Sequence, residues 1–288
     1  MIEYMKKSAT WAFGIISVIL AFVPEAVFGK VIWIPDAVLE EFKWFGNDTS
    51  DVNIIITRIL IYFAIWIFTS IVYRLYLVMR RKIKIKGNNY TIMVEYGDLF
   101  KTRKCKRVIN FDECFSTHVG SAPADIKPTS ICGQYLMANP DISQEKMQTL
   151  ISNAHLKPVE IGSKYQNKVR YESGRIVPMG NDLLMAFAKL DENGLGRLSR
   201  DEFLECLSIL WEEIDKYYAQ MDVCIPILGA GLTRFDGGSG ASIPQQELLD
   251  MIIWSYKLSP NKIKASCKLR IICKKCDGFS LNKIDSVI

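Results

Sequence analysis

The sequence has only two histidines, His118 and His155, and a single Cys-x-x-Cys pair, Cys273 and Cys276. A zinc site needs four ligands, so neither a second Cys pair nor a His pair is present to complete one. No cysteine precedes Cys105; all eight lie from there onward, and in a cytosolic segment they are expected to be reduced, mostly small buried residues. The absence of internal repeats and low-complexity tracts excludes a solenoid and a disordered tail. No Gly-x-x-x-x-Gly-Lys-Ser/Thr occurs, so there is no P-loop.

Long apolar runs, by contrast, are present. Trp11 to Gly29 carries one charge, Glu25, and Val52 to Met79 is interrupted only by Arg58 and Arg74. Each is long enough at about 1.5 Å per residue to span roughly 30 Å of hydrocarbon. Pro24 to Gly29 makes a poor signal-peptidase region, which argues against a cleaved leader. Lys6 and Lys7 precede the first run, and Arg80, Arg81, Lys82, Lys84 and Lys86 follow the second. The connecting loop holds Asp36, Glu40, Glu41, Asp48 and Asp51 against Lys30 and Lys43. The excess of Lys and Arg outside the loop predicts a two-helix hairpin in the cell inner or plasma membrane with both termini cytoplasmic. Glu25 and Arg58 then fall toward the outer leaflet, where they either pair, within the hairpin or between subunits, or snorkel to the interface. The expected organisation is a transmembrane hairpin with its basic stop over 1–86 and a cytoplasmic domain over 87–288.

In that domain short strands and amphipathic helices alternate. Strands are predicted at Thr91–Tyr96, Arg107–Phe111, within 174–190, at Asp222–Leu228 and at Lys268–Cys273; helices at 143–154, 201–218 and about 242–258. The continuous apolar run Val223–Leu228 fits a strand covered on both faces. This order predicts an α/β fold, a mixed sheet flanked by helices.

A glycine-rich loop, Leu228-Gly229-Ala230-Gly231-Leu232-Thr233-Arg234-Phe235, leaves the carboxyl end of that strand, where α/β folds bind ligands. Its glycines let backbone N–H groups approach phosphate oxygens, and the following helix, with a capping-box pattern Ser242-x-x-Gln245, would favour an anion. It lacks the third glycine of the dinucleotide fingerprint, so an ordinary tight loop is the alternative. Asp98, after the first strand, either accepts from an exocyclic amine or caps the turn that follows it. Asp191 to Glu202 matches much of a calcium-binding loop, but Leu195 replaces a side-chain oxygen, and a polar hairpin leading to a helix opened by Ser199-x-x-Glu202 is the simpler reading. Lys101 to Arg107 holds five positive charges without interleaved aromatics, which suits a solvated face near lipid headgroups better than nucleic acid.

At Gly97-Asp98-Leu99-Phe100, 108–115 (VINFDECF), 130–134 (SICGQ) and the 226–235 loop, taken in order, the chain resembles a macro domain. With two apolar runs ahead of it, it resembles the membrane-anchored macro-domain effectors of the bacterial Thoeris anti-phage system. The resemblance implies binding of an ADP-ribose-type signal nucleotide made by a TIR-domain partner enzyme. It further implies homo-oligomerisation and membrane disruption as the response. Carried onto this sequence, it places Asp98 at the adenine amine, counts Leu99 among the ligand-binding residues, and sets Asn110, Phe111 and Asp112 beside the ribose nearer the variable end. It places Gly229, Ala230, Gly231, Leu232 and Thr233 around the diphosphate, with Arg234 and Phe235 closing over it. Hydrolytic macro domains carry an Asn-x-x-Asn, Gly-rich first loop, whereas Phe-Asp-Glu-Cys-Phe follows Asn110 here. The expectation is therefore a binding protein with no catalytic residues, no metal and no cofactor; the alternative is a membrane-tethered ADP-ribosyl hydrolase. Gly237-Gly238 with Gln245-Gln246-Glu247 is superficially similar to a glycohydrolase signature, but Glu247 reads more simply as a first-turn helix acid.

Overall fold

The computed structural model describes residues 2–28, 49–122, 125–159, 168–191, 193, 195–231, 233–236 and 243–286. The chain forms two compact units, Met1–Arg80 and Arg81–Ile288.

The first unit is helical: α1 (Ile2–Phe22), α2 (Glu25–Phe28) and α3 (Thr49–Met79). The apolar run Trp11–Gly29 is not one helix. Helical bonding ends with Val23 N–H donating to the Ile19 carbonyl at 2.9 Å, because Pro24 has no N–H and disfavours helix at the residue before it. Among the described residues one helix is long and apolar enough to cross a membrane, Asn53–Met79, with a mean hydropathy of 2.1. Phe63, Ile67, Phe68, Leu75 and Tyr76 are exposed along it. Its hydroxyls fold back on the helix: Thr57 Oγ1 donates to the Asn53 carbonyl at 2.7 Å and Thr69 Oγ1 to that of Ile65 at 2.9 Å. α1 packs against α3, with Trp66 Nε1 donating to Ser8 Oγ at 3.3 Å. The Arg58 guanidinium stands 5.6 Å from the centre of the Phe28 ring. The Glu25 side chain and the loop acids at 36, 40, 41 and 48 lie outside the described residues.

The second unit is a nine-stranded mixed sheet. Its strands are β1 (Lys82–Lys86), β2 (Thr91–Tyr96), β3 (Cys105–Asp112), β4 (Ile176–Met179), β5 (Asp182–Leu190), β6 (Gly196–Ser199), β7 (Asp222–Pro226), β8 (Arg234–Asp236) and β9 (Leu269–Cys273). The spatial order is β1-β2-β9-β7-β3-β5-β6-β8, with β4 antiparallel to β5. Residues 82–86, expected as a basic stop, are a sheet strand: Ile83 and Ile85 are buried and the three lysines face out, antiparallel to β2.

Four helices cover the two faces: α4 (Ile131–Ala138), α5 (Gln144–Asn153), α6 (Arg200–Tyr217) and α7 (Gln245–Leu258). On one side Phe203, Leu207, Leu210 and Trp211 of α6 and Leu248, Ile252 and Tyr256 of α7 join Val108, Val223 and Ile271 in one core. On the other, Tyr135 of α4 and Met147 of α5 pack on Ile109, Phe111 and Leu184. Strands buried on both sides read as continuous apolar runs, as β7 does. The Ser199/Glu202 capping box forms at the start of α6. At the start of α7 the N-cap is Pro244, with no side-chain cap bond; Ser242, expected as the cap, lies outside the described residues. The basic run at 101–107 is partly engaged, since Lys106 Nζ donates to the Gly180 carbonyl at 2.6 Å and Arg107 Nε to Asp182 at 2.7 Å.

Candidate functional site

Strands β2, β9, β7, β3 and β5 lie side by side and run parallel, and the residues at their carboxyl ends line one cavity of about 1100 Å³. Ligands bind at this end of parallel sheets because the loops there diverge and leave a crevice.

At the end of β2, Asp98 caps the short 3-10 turn Leu99–Lys101: its Oδ1 accepts the Phe100 N–H at 3.0 Å. The side chain is still 45% exposed and lines the cavity; its Oδ2 lies 4.0 Å from the ammonium of Lys101, itself 85% exposed, so a ligand donor can reach the same oxygen. Leu99 is buried against the core and contributes only a wall.

At the end of β3 the pairing with β5 shifts register between Phe111 and Asp112, so that Asp112 stands opposite Ala188. Such a bulge turns a side chain out of the strand's regular alternation. Asp112 Oδ1 accepts the N–H groups of Cys114 at 2.8 Å and Ser116 at 3.2 Å, and burial pushes its carboxyl pKa up despite those bonds. Phe111 packs inward on the Phe115 and Tyr135 rings and borders the cavity floor. Phe115, at φ 49, is fully buried, and this left-handed turn swings the chain so that Ser116 reaches the cavity. Asn110 Oδ1 is buried here without a hydrogen-bond partner among the described residues, and the Ser116 hydroxyl lies beside the Asp112 carboxylate, which it helps to hold. An unpaired buried polar atom is costly, so Asn110 Oδ1 at the cavity wall marks where a ligand would bond.

The glycine-rich loop forms a third wall. Gly229 adopts φ +79, and a Cβ there would stand 2.8 Å from Phe235 Cζ, so both the conformation and the close approach require glycine. Ala230, Gly231, Thr233 and Arg234 line the cavity; Leu232 lies outside the described residues. Phe235 does not close over the site as expected. It alternates inward from Arg234 along β8 and is 5% exposed, its ring 5.6 Å from that of Phe203.

Several lining residues carried no signal as site residues in the sequence. Ser116 and Lys168 reach the cavity through loops, and Lys127 and Lys274 add cations that suit a diphosphate. Ser130 caps α4, its Oγ accepting the Gly133 N–H at 2.9 Å, and a Cβ at Gly133 would stand 2.2 Å from the Lys127 carbonyl oxygen. The Cys132 thiol lines the cavity but is pushed far above its usual pKa by burial, and further by Asp112, so it is a poor nucleophile. Glu247 faces Arg200 at 2.7 Å and is not among the lining residues; Gly237 and Gly238 lie outside the described residues. In the segment similar to a calcium loop, Asp191 accepts from Asn193 N, Leu195 N and Arg197, while Glu202 bonds Lys189 and Ser199 N. These bonds make a hairpin turn and a helix cap.

A mixed sheet between helices, with a glycine-rich loop and an acidic turn around a cavity at the parallel strand ends, is the macro-domain architecture. The chain belongs to the Thoeris protein ThsA macro-domain family, which matches residues 92–274. Thoeris protein ThsA of Bacillus amyloliquefaciens (strain Y2) is 29% identical over 214 residues, 72% of this chain and 70% of that protein. Among solved structures, the macrodomain of Thermus aquaticus DarG shares 14% identity at a TM-score of 0.37, covering 64% of this chain and 97% of that one. The Oceanobacillus iheyensis macrodomain with ADP shares 10% at 0.39, covering 67% and 88%. At these TM-scores the solved structures add nothing to the family assignment.

Proposed function

We propose that this chain is a membrane-held nucleotide sensor of anti-phage defence. Its macro domain binds an ADP-ribose-derived signal made by a TIR-domain partner, and its apolar helices carry out the response. The observation that most supports nucleotide binding is the buried Asn110 Oδ1, left without a partner among the described residues at the wall of a cavity of about 1100 Å³. On this reading Asp98 accepts from the adenine amine. The backbone from Gly229 to Thr233 cradles the diphosphate beside Arg234. Asn110, Asp112 and Ser116 hold the distal ribose. The bound nucleotide is not turned over: Asp112 is held by the two N–H groups of its own loop, and Cys132 is an inert thiol.

The response belongs to the helices. α3 spans the bilayer and α1, packed along it, provides the second pass of a hairpin with both ends cytoplasmic. Two helices enclose no pore, so membrane disruption requires several copies of the chain. Ligand binding favours the assembled form by differential affinity. The test uses the full chain in liposomes and in detergent. ADP-ribose binding by calorimetry without product formation, and nucleotide-dependent ion flux from the liposomes, are the expected results. Release of ADP-ribose from an ADP-ribosylated protein, water adding across the glycosidic or ester bond to the acceptor, would replace the sensor with a tethered hydrolase. Absence of binding by ADP-ribose and its cyclic isomers would refute the reading of the cavity.

A further inference from the structure

A second cavity, of about 400 Å³, adjoins the first where β1, β2 and β9 meet. It is lined by Arg81, Tyr96, Gly97, Cys273, Lys274 and Lys275, three cations and no carboxylate. Its backbone is already satisfied: Tyr96 N–H donates to the Arg81 carbonyl and Gly97 N–H to that of Cys273, both at 3.0 Å. The groups left to meet a ligand are therefore cationic side chains. Lys275 Nζ stands 5.5 Å from the centre of the Tyr96 ring, which holds it at the cavity wall.

The positive surface continues onto β1. Lys82, Lys84 and Lys86 are exposed on one face of the strand, opposite Glu95, Met93 and Thr91 of β2. Glu95, the one acid in these pairs, is taken by Arg270, whose Nε and Nη2 donate to it at 2.8 and 2.6 Å. The lysines keep their charge for an external partner. Two peptide steps, at most about 7 Å of chain, separate Met79 at the end of α3 from Arg81.

We infer that the Arg81–Lys275 pocket, extended by the β1 lysines, binds the phosphate of an anionic phospholipid headgroup. The inference rests on the reading of α3 as a membrane span, which keeps Arg81 at headgroup depth. A phosphodiester at that depth carries the charge and size for a 400 Å³ basic pocket, and each cation near an anionic surface strengthens binding about fivefold. A free phosphate offers the same chemistry, and the experiment separates the two sources.

Cys276, exposed beside Lys275, serves as the labelling position on the full chain. With a fluorophore there, the protein is placed in vesicles of phosphatidylcholine alone or with 30% phosphatidylglycerol, each carrying a headgroup quencher. The expected result is quenching that rises with phosphatidylglycerol, is reversed by 0.5 M salt, and is unaffected by 10 mM inorganic phosphate. The Arg81→Gln/Lys275→Gln variant, with two cations removed, should bind vesicles with 30% phosphatidylglycerol about 25-fold more weakly by quenching while binding ADP-ribose as the parent does. Equal quenching in both vesicles, or in variant and parent, overturns the lipid site even where flotation shows the chain inserted. Competition by inorganic phosphate assigns the pocket to a free anion and overturns it too. Failure to float with vesicles overturns both the site and the membrane reading beneath it.

Discussion

Replacing Asp98 by Asn separates two roles held by one carboxylate. Its Oδ1 accepts the Phe100 N–H at 3.0 Å and so closes the turn after β2. Its other oxygen, on a side chain 45% exposed at the cavity wall, is the one assigned to the adenine amine. Asn keeps an oxygen for the Phe100 N–H, so stability should change by no more than about 0.5 kcal/mol. Facing the ligand, however, it loses a charged acceptor or presents an NH₂ where the amine also donates. A hydrogen bond to a charged group is worth about 1.5–3 kcal/mol, which is about 10- to 150-fold in Kd. Asp98→Ala should lose that affinity and in addition about 1 kcal/mol of stability with the cap. Calorimetry with ADP-ribose and a thermal melt on the same samples read both quantities. If Asp98→Asn binds ADP-ribose as tightly as the parent, the carboxylate does not meet the ligand. If Asp98→Asn melts as early as Asp98→Ala, the oxygen at Phe100 is not what holds the turn.

Three other perturbations probe the same wall and its support. Asp112 has its pKa raised above 3.8 by burial, so the folded chain holds that proton more tightly than the unfolded one. Its contribution to stability is then full below the unfolded value and lost as pH rises through the folded value. Asp112→Asn cannot ionise, so its melting temperature relative to the parent should climb between pH 4 and pH 7; a constant offset would contradict the burial. Gly229→Ala meets the Phe235 ring at 2.8 Å with φ +79 and should cost about 1–3 kcal/mol in a denaturant titration, whereas Gly231→Glu, with no atom within 4 Å of its Cβ, should melt normally and bind no ADP-ribose. Ser199→Ala removes one half of the α6 capping box and should lower stability by about 1 kcal/mol with ADP-ribose affinity unchanged, because neither Ser199 nor Glu202 lines the cavity.

The elements legible in the sequence are those with a long, unambiguous period. β2 falls on Thr91–Tyr96 as expected because its apolar residues alternate, and α6 because its apolar face repeats over eighteen residues behind a capping box. β1 alternates just as well, Lys-Ile-Lys-Ile-Lys, but follows directly on an apolar helix, where its lysines read first as a topogenic stop. α4 was missed because eight residues give barely two turns of pattern. α7 has Pro244 as its N-cap, two residues after the expected Ser242, because the extended backbone at Pro244 (φ -57, ψ 140) is outside the helix and the first helical residue is Gln245. In the cavity, Asp98 and the glycine loop were legible because each follows a strand end, whereas Asn110 and Asp112 were reached only through the resemblance to macro domains. Phe235 was misjudged because the inward and outward faces of a three-residue strand are set by tertiary packing, here by Phe203, and not by any local pattern. Ser116, Lys168 and Lys274 come to the cavity by chain reversals that single-sequence periodicity does not encode.

The strand that the sequence disguised also bears on how sensing and response could be joined. Met79 ends the apolar helix, and Arg81, two residues on, accepts the Tyr96 N–H through its carbonyl at 3.0 Å. Tyr96 is followed by Gly97 and then by Asp98, and Gly97 lines both cavities. The chain thus passes from the helix end to Asp98 through one backbone hydrogen bond and four residues, all within or beside paired strands. A flexible linker would let the helix ignore the state of the cavity. Here the bond from Tyr96 N–H to the Arg81 carbonyl instead continues, by one step, the β1 ladder, whose five registered pairs include two buried isoleucines. On the proposed reading, a ligand that repositions Asp98 acts on the same short segment that fixes the start of β1. The lysines once read as a stop signal would then be part of the connection that makes the helix responsive.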